Sequence, residues 1–220
     1  QQASSLDFTG GLTVDGSADV TVETSAGDVN VGDIATSGGG AISSLMLDAQ
    51  TGGERLDTGA IALQAGETLT MGGDGDISTG AVTAGSGNLT IDSTGASGAE
   101  REVESIDAGA MGGNTLTLGG TVEDTYIGQI DASGISGQAF TIDDAGTGGQ
   151  NIGILADGTR TTSSAIDAQS ATSLSITESG GTNPLTIENS SDTAPVIDAS
   201  SAETVSLTAS QAINVESRGG

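Results

Sequence analysis

Apolar residues in this chain come two positions apart, in short blocks broken by glycine. The segment 69–91 sets the pattern, with Leu69-Thr70-Met71, then Ile77 to Val82, then Leu89-Thr90-Ile91. Spacing of two puts apolar side chains on one face of an extended strand. Between the blocks stand Gly72-Gly73-Asp74-Gly75-Asp76 and Gly85-Ser86-Gly87-Asn88. Gly, Asn and Asp tolerate the left-handed backbone of a sharp corner. The pattern predicts strand, corner, strand, corner: one coil of a β-solenoid.

The same rhythm fills the chain. Leu6-Asp7-Phe8, Leu12-Thr13-Val14, Val20-Thr21-Val22, Val29-Asn30-Val31, Leu45-Met46-Leu47 and Ile61-Ala62-Leu63 precede the segment. After it the phrase Ile-Asp-Ala recurs at 106–108, 130–132, 166–168 and 197–199. An apolar-x-apolar block follows each phrase: Leu116-Thr117-Leu118, Phe140-Thr141-Ile142, Leu174-Ser175-Ile176 and Val205-Ser206-Leu207. A third block closes three of the repeats, Ile152-Gly153-Ile154, Leu185-Thr186-Ile187 and Ile213-Asn214-Val215. Three strands and three corners per repeat predict an all-β fold, a parallel three-sided β-helix of about 24–36 residues per coil with essentially no helix. Coils ~4.8 Å apart would make a column roughly 40 Å tall. A single continuous solenoid over 1–220 is expected, looser over 1–105 and clearer over 106–220. Ile130, Ile142, Ile166, Ile176 and Ile187 should share one core. The stretch from Gln50 to Asp57, with Arg55, and the charge run Glu100-Arg101-Glu102-Val103-Glu104 read as solvated loops. A β-sandwich also uses many short strands, but it favours longer strands and aromatic core residues.

Composition narrows the core and the partners. Glycine supplies 37 of 220 residues and aromatics 1%. Such a chain fills only a narrow, aliphatic core. The formal charge is -26, from 30 acidic and 4 basic residues. That excess argues against nucleic acid and anionic membranes as partners, and it calls for screening by cations or salt. No apolar run is long enough to span a membrane. With no Cys and no His, thiol and imidazole chemistry and Cys or His zinc sites are excluded. The metals this inventory suits are hard cations bound by oxygen.

Candidate chemistry therefore rests on carboxylates. Gly72-Gly73-Asp74-Gly75-Asp76-Ile77 resembles the calcium-binding glycine-aspartate nonapeptide of β-roll toxins, with Asp74 and Asp76 as its acidic residues and Ile77 where a further aspartate usually stands. If the four Ile-Asp-Ala phrases occupy one side of successive coils, Asp107, Asp131, Asp167 and Asp198 form an outward column. Calcium bridging neighbours would turn their mutual repulsion into adhesion between coils. Asp143 and Asp144 are adjacent, and successive strand residues point apart. Outward Thr13, Thr21, Thr70, Thr90, Thr117, Thr141 and Thr186 raise an ice- or mineral-binding face, although their surroundings are irregular. Carboxylate-pair catalysis on a carbohydrate is the enzyme alternative. It lacks the Lys and His that usually assist, so the chain is read as a non-enzyme.

The phrases at 75–91 and 59–77 resemble the degenerate repeats of filamentous-haemagglutinin-type large exoproteins, most clearly over 29–92. Ala165 to Val215 is similar also to the Thr/Ser/Asp-rich β-helical parts of bacterial surface-layer proteins. The resemblance implies an extracellular or cell-surface structural protein: part of a surface filament, a surface layer or an adhesin stalk, with cell-surface glycan as a further partner. The alternative is a carbohydrate-binding or carbohydrate-processing β-helix protein. Apolar blocks begin close to Gln1 and end close to Gly220, with no capping helix in the pattern. Two arrangements follow, flanking repeats of a larger exoprotein or head-to-tail stacking of copies, and the second is the expectation.

Overall fold

The computed structural model describes residues 5–218, apart from 16–17, 25–26, 38–41, 51–53, 64–67, 86–87, 95–98, 112–114, 122–123 and 181–182. Its described residues form 23 strands and no helix. Among the described residues every strand pairing is parallel, and the one antiparallel bridge joins Ile154 to Arg160 outside the named strands. The strands stack into three faces. The first face runs from Ser5–Phe8 through Asp28–Val31, Arg55–Thr58, Asp124–Ile127, Gly149–Ile152 and Leu185–Asn189 to Ile213–Ser217. The second carries Leu12–Asp15, Ile34–Ser37, Ile61–Ala62, Ile130–Asp131, Ile166–Asp167 and Ile197–Asp198. The eight-residue strands Asp76–Thr83 and Glu100–Asp107 serve both of these faces. The third face stacks eight strands, from Ala18–Thr24 to Thr204–Ala209. The chain is a three-sided parallel β-solenoid, as its apolar rhythm predicts.

Register gives the coil lengths. Asp76 pairs with Arg55, 21 residues earlier, and Leu185 with Gln150, 35 residues earlier. On the second face Ile166 pairs with Ile130, 36 residues earlier, so the observed range is 21–36 residues: its upper end matches the expected 36 and its lower end falls below the expected 24. The shortest coil turns from the first to the second face in two residues, Gly59 and Ala60. The longest carries the excursion 153–165.

The core is a stack of aliphatic columns. On the second face Leu12, Ile34, Ile61, Val82, Ile106, Ile130, Ile166 and Ile197 lie in successive register. Ile130, Ile142, Ile166, Ile176 and Ile187 are all fully buried in one cluster, which runs from Val29 to Ile187. Like side chains stacked one strand apart bury apolar area on both flanks.

Two expected loops give way to strands, the first only from Arg55 onward, since Gln50 and Glu54 stay outside the strands. Arg55–Thr58 pairs with its neighbours above and below, with Leu56 and Thr58 turned inward. Residues 51–53 of that stretch lie outside the described set. The charge run 100–104 begins the strand Glu100–Asp107, and its alternation turns Arg101 and Val103 into the core. Charge density there masks a period of two. Tight corners complete the coil: Gly120 has φ 114 and Gly153 φ 91, and a Cβ on either would strike the carbonyl oxygen of Ser93 or Glu188 in the neighbouring coil.

Candidate functional sites

The aspartate column exists. Asp107, Asp131, Asp167 and Asp198 occupy one register position in four successive coils. Each carboxylate also caps its own corner. Oδ1 accepts the backbone N–H two residues on, from Gly109 at 2.9 Å, Ser133 at 2.9 Å, Gln169 at 3.2 Å and Ser200 at 3.1 Å. Each following Ala then accepts a turn-closing N–H, from Met111, Ile135, Ala171 and Ala202. The phrase Ile-Asp-Ala is therefore a corner module: Ile fills the core, Asp closes an Asx turn and Ala starts the next bend. Burial pushes the Asp167 carboxyl up, the Gln169 N–H pulls it back, and Asp131 and Asp198 raise it further. The column suits a cation only through the second oxygen of each carboxylate. Oδ2 of Asp167 already lies 3.3 Å from the Gln169 amide nitrogen.

Asp74 and Asp76 flank a different charge. The glycine-rich corner 72–76 turns its carbonyls inward to the Arg101 guanidinium. Nη1 donates to Gly75 O at 2.6 Å and Glu100 O at 3.1 Å, Nη2 to Gly73 O at 2.7 Å and Thr94 O at 3.0 Å, and Nε to Met71 O at 3.2 Å. All five N–H groups meet backbone oxygen. Desolvation lowers the Arg101 pKa, and Asp76, Asp48 and Asp74 partly restore it. Asp76 accepts the Glu100 N–H at 2.9 Å, Asp74 is exposed, and Ile77 is buried. Among the described residues, no group of three or more acidic side chains is placed to hold a metal ion.

The first face carries a groove of about 290 Å³ lined by Arg55, Asp76, Ser78, Glu100, Glu102 and Asp157, among others. Its overhang is a small hairpin, 154–160, closed by Leu155 N–H to Thr159 O at 2.8 Å. The hairpin reaches down to Glu102, whose Oε2 accepts the Ala156 N–H at 2.9 Å. It is tied upward by Arg160, whose Nε lies 3.2 Å from Glu188 Oε2. Arg218 Nε lies 2.7 Å from the same oxygen. Glu188 is buried, so both cations offset a charge withdrawn from water.

Residues that reading by blocks misses are the inward polar ones: Arg101, Asp144, Glu178 and Glu188. The signal for three of them is parity. Arg101 stands two before Val103, Asp144 two after Ile142, and Glu178 two after Ile176. Asp143 and Asp144 do point apart, Asp143 half-buried and Asp144 buried.

Among the described residues, large apolar side chains are exposed on the first and last coils. Phe8 is 53% exposed at one end, and Val205, Leu207 and Val215 are 51%, 48% and 42% exposed at the other. At the first end Phe8, Leu12, Val22, Val29 and Val31 line an apolar depression of about 350 Å³. No protein-family model, no curated protein and no solved structure matches the chain.

Proposed function

We propose that this chain is an extracellular structural protein, a stiff β-solenoid segment of a bacterial surface filament, surface layer or adhesin stalk, that lengthens by stacking copies head to tail. The observation that carries the reading is the exposure of apolar side chains on the first and last described coils. One end offers the strand edges Ile197–Asp198, Thr204–Ala209 and Ile213–Ser217 with Val205, Leu207 and Val215 exposed. The other offers Ser5–Phe8, Leu12–Asp15 and Ala18–Thr24 with Phe8 exposed. Both ends have the same three-sided outline, and parallel strands present opposite edges at top and bottom. A second copy can therefore extend all three ladders while covering apolar side chains, Val215 meeting Phe8 across the junction. The two surfaces differ, so the contact is heterologous and propagates as a filament. The charge of -26 opposes association, which makes assembly dependent on cations or salt. The resemblance of the repeats to large exoproteins supports the cell surface as the location.

Sedimentation velocity at rising protein concentration, in millimolar calcium, tests the reading. Wild type should form polymers, and Val215→Asp should stay monomeric with an unchanged β-sheet circular dichroism spectrum. A wild type that sediments as a monomer throughout rejects self-stacking and leaves the end coils to flanking repeats of a longer exoprotein. The acid-lined groove favours a second reading, carbohydrate binding on the first face, where Tyr126 stands one coil above Glu102. Binding to acidic or neutral glycans that is lost in Glu102→Ala would favour it.

A further inference from the structure

One inward column of the third face changes character part way along. It reads Leu45, Leu69, Ile91 and Leu118, then Asp144 and Glu178. The two carboxylates are register partners in neighbouring coils, about one strand spacing apart. Each is 1% exposed. Glu178 is well supplied with donors. Its Oε2 accepts from Ser210 Oγ at 3.0 Å and Gln211 N–H at 2.7 Å, and its Oε1 from Ser210 Oγ at 3.2 Å. Asp144 has far less. Its Oδ1 takes the Gly146 N–H at 3.3 Å, and its buried Oδ2 has no hydrogen-bond partner among the described residues.

Few other charges bear on the pair. Asp143 is the one further titratable group on its own strand Ala139–Asp144, and the Ser179 hydroxyl lies 3.2 Å from that carboxylate. The strands packed around it, Thr115–Gly120, Gly149–Ile152 and Thr204–Ala209, contain no ionisable side chain, and Ser173–Glu178 contains only Glu178. Arg101 stands two coils below Gln150 in the adjoining inward column and spends its donors on five carbonyls.

We propose that Asp144 and Glu178 hold one proton between them, and that this proton fastens the coil containing Ala139–Asp144 to the coils carrying Ser173–Glu178 and Thr204–Ala209. Two buried carboxylates one strand apart cannot both ionise without repelling in a low-dielectric interior. The charge rests on Glu178, where two donors, the Ser210 hydroxyl and the Gln211 N–H, receive it. The proton rests on Asp144, whose neutral carboxyl needs fewer partners. Burial, then Glu178 and Asp143, push the Asp144 carboxyl up to about 7 against the pull of the Gly146 N–H. The folded pair thus binds a proton over a range in which an opened coil has released it. Its contribution is complete below the ordinary carboxyl value of 3.8, falls as the pH rises and is exhausted above about 7. Below the pair the inward column is aliphatic, so the pH response belongs to the C-terminal coils.

Amide hydrogen exchange, corrected for intrinsic rates and read between pH 4 and 8.5, tests this. The opening equilibrium of peptides covering 173–178 and 204–209 in wild type, divided by that in Asp144→Asn, should rise about tenfold per pH unit from 4 to 7 and level above 7. Peptides covering 42–49 should show no such divergence. Should Asp144→Asn fail to fold, carbon-13 NMR titration of the wild-type Asp144 carboxyl gives the same answer: a midpoint near neutrality supports the shared proton, and one near 4 overturns it. A flat ratio between the variants overturns it as well.

Discussion

Arg101→Met isolates what a buried cation does in a solenoid core. Methionine keeps an unbranched chain of similar reach but donates nothing. Arg101 has 0% exposure and five carbonyl acceptors. Those acceptors do not suffer equally. Met71 O also takes the Thr94 N–H at 2.9 Å, so it stays bonded in the variant. Gly75 O and Thr94 O lie in corners outside the strand ladders and have no other donor among the described residues. Leaving two buried carbonyls unpaired costs about 2–6 kcal/mol together. Removing the guanidinium returns part of this, because its charge sits in the core without a carboxylate in contact, and desolvation of such an ion costs several kcal/mol. The carbonyls are fixed by the backbone and do not leave with the side chain, so the net loss should be about 2–4 kcal/mol.

Arg55→Met removes the same charge from the same chain. Arg55 is more than half exposed and paired with Asp57 at 2.7 Å. Its loss should stay below about 1 kcal/mol. Urea denaturation at fixed ionic strength separates the two variants. Hydrogen exchange should place the Arg101 effect in the strands Thr68–Gly73 and Glu100–Asp107, since solenoid coils couple mainly to their neighbours. If Arg101→Met unfolds within about 0.5 kcal/mol of wild type, water is satisfying the corner carbonyls and the guanidinium is no structural pin.

Two further outcomes follow from the same geometry. Gly153→Ala places a Cβ against the Glu188 carbonyl at φ 91, so the coil junction at Leu185–Asn189 should weaken by about 3 kcal/mol or more in urea, while a substitution at exposed Gly10 should be nearly neutral. Calcium at ten times its dissociation constant should add about 1.4 kcal/mol per site if it bridges Asp107, Asp131, Asp167 and Asp198; thermal melting in calcium and in sodium of equal ionic strength distinguishes bridging from screening, and Asp131→Asn combined with Asp167→Asn should abolish the calcium-specific part.

The architecture was legible because it depends on the local alternation of apolar residues. Every block two residues apart that falls within the described residues is a strand or part of one, with two exceptions at corners: Leu63 lies just past Ile61–Ala62, and Gly153-Ile154 lies just past Gly149–Ile152. The aspartate column was legible for a second reason. Identical phrases in a parallel stack must fall into register, or every side chain of a coil would change face. What the phrase did not reveal is the duty of each carboxylate, because Asx turns depend on the backbone two residues on.

Arg101, Asp144 and Glu178 were hidden by residue type. Each continues the inward parity of its strand, but a charged residue beside an apolar block reads as the point where the strand leaves the core. In a wide globular core that inference holds, because an inward charge meets only hydrocarbon. A three-sided coil has corners, and corners leave carbonyls and N–H groups outside the ladders, facing the interior. Charged side chains at strand ends next to corners therefore have partners that mid-strand positions lack. Arg101 finds carbonyls; Glu178 finds the Ser210 hydroxyl and the Gln211 N–H. Asp144, placed the same way, finds one long bond, and that difference is what leaves it to take a proton. In a solenoid sequence, an ionisable residue two positions from an apolar block and beside a glycine-rich corner is a candidate for the core.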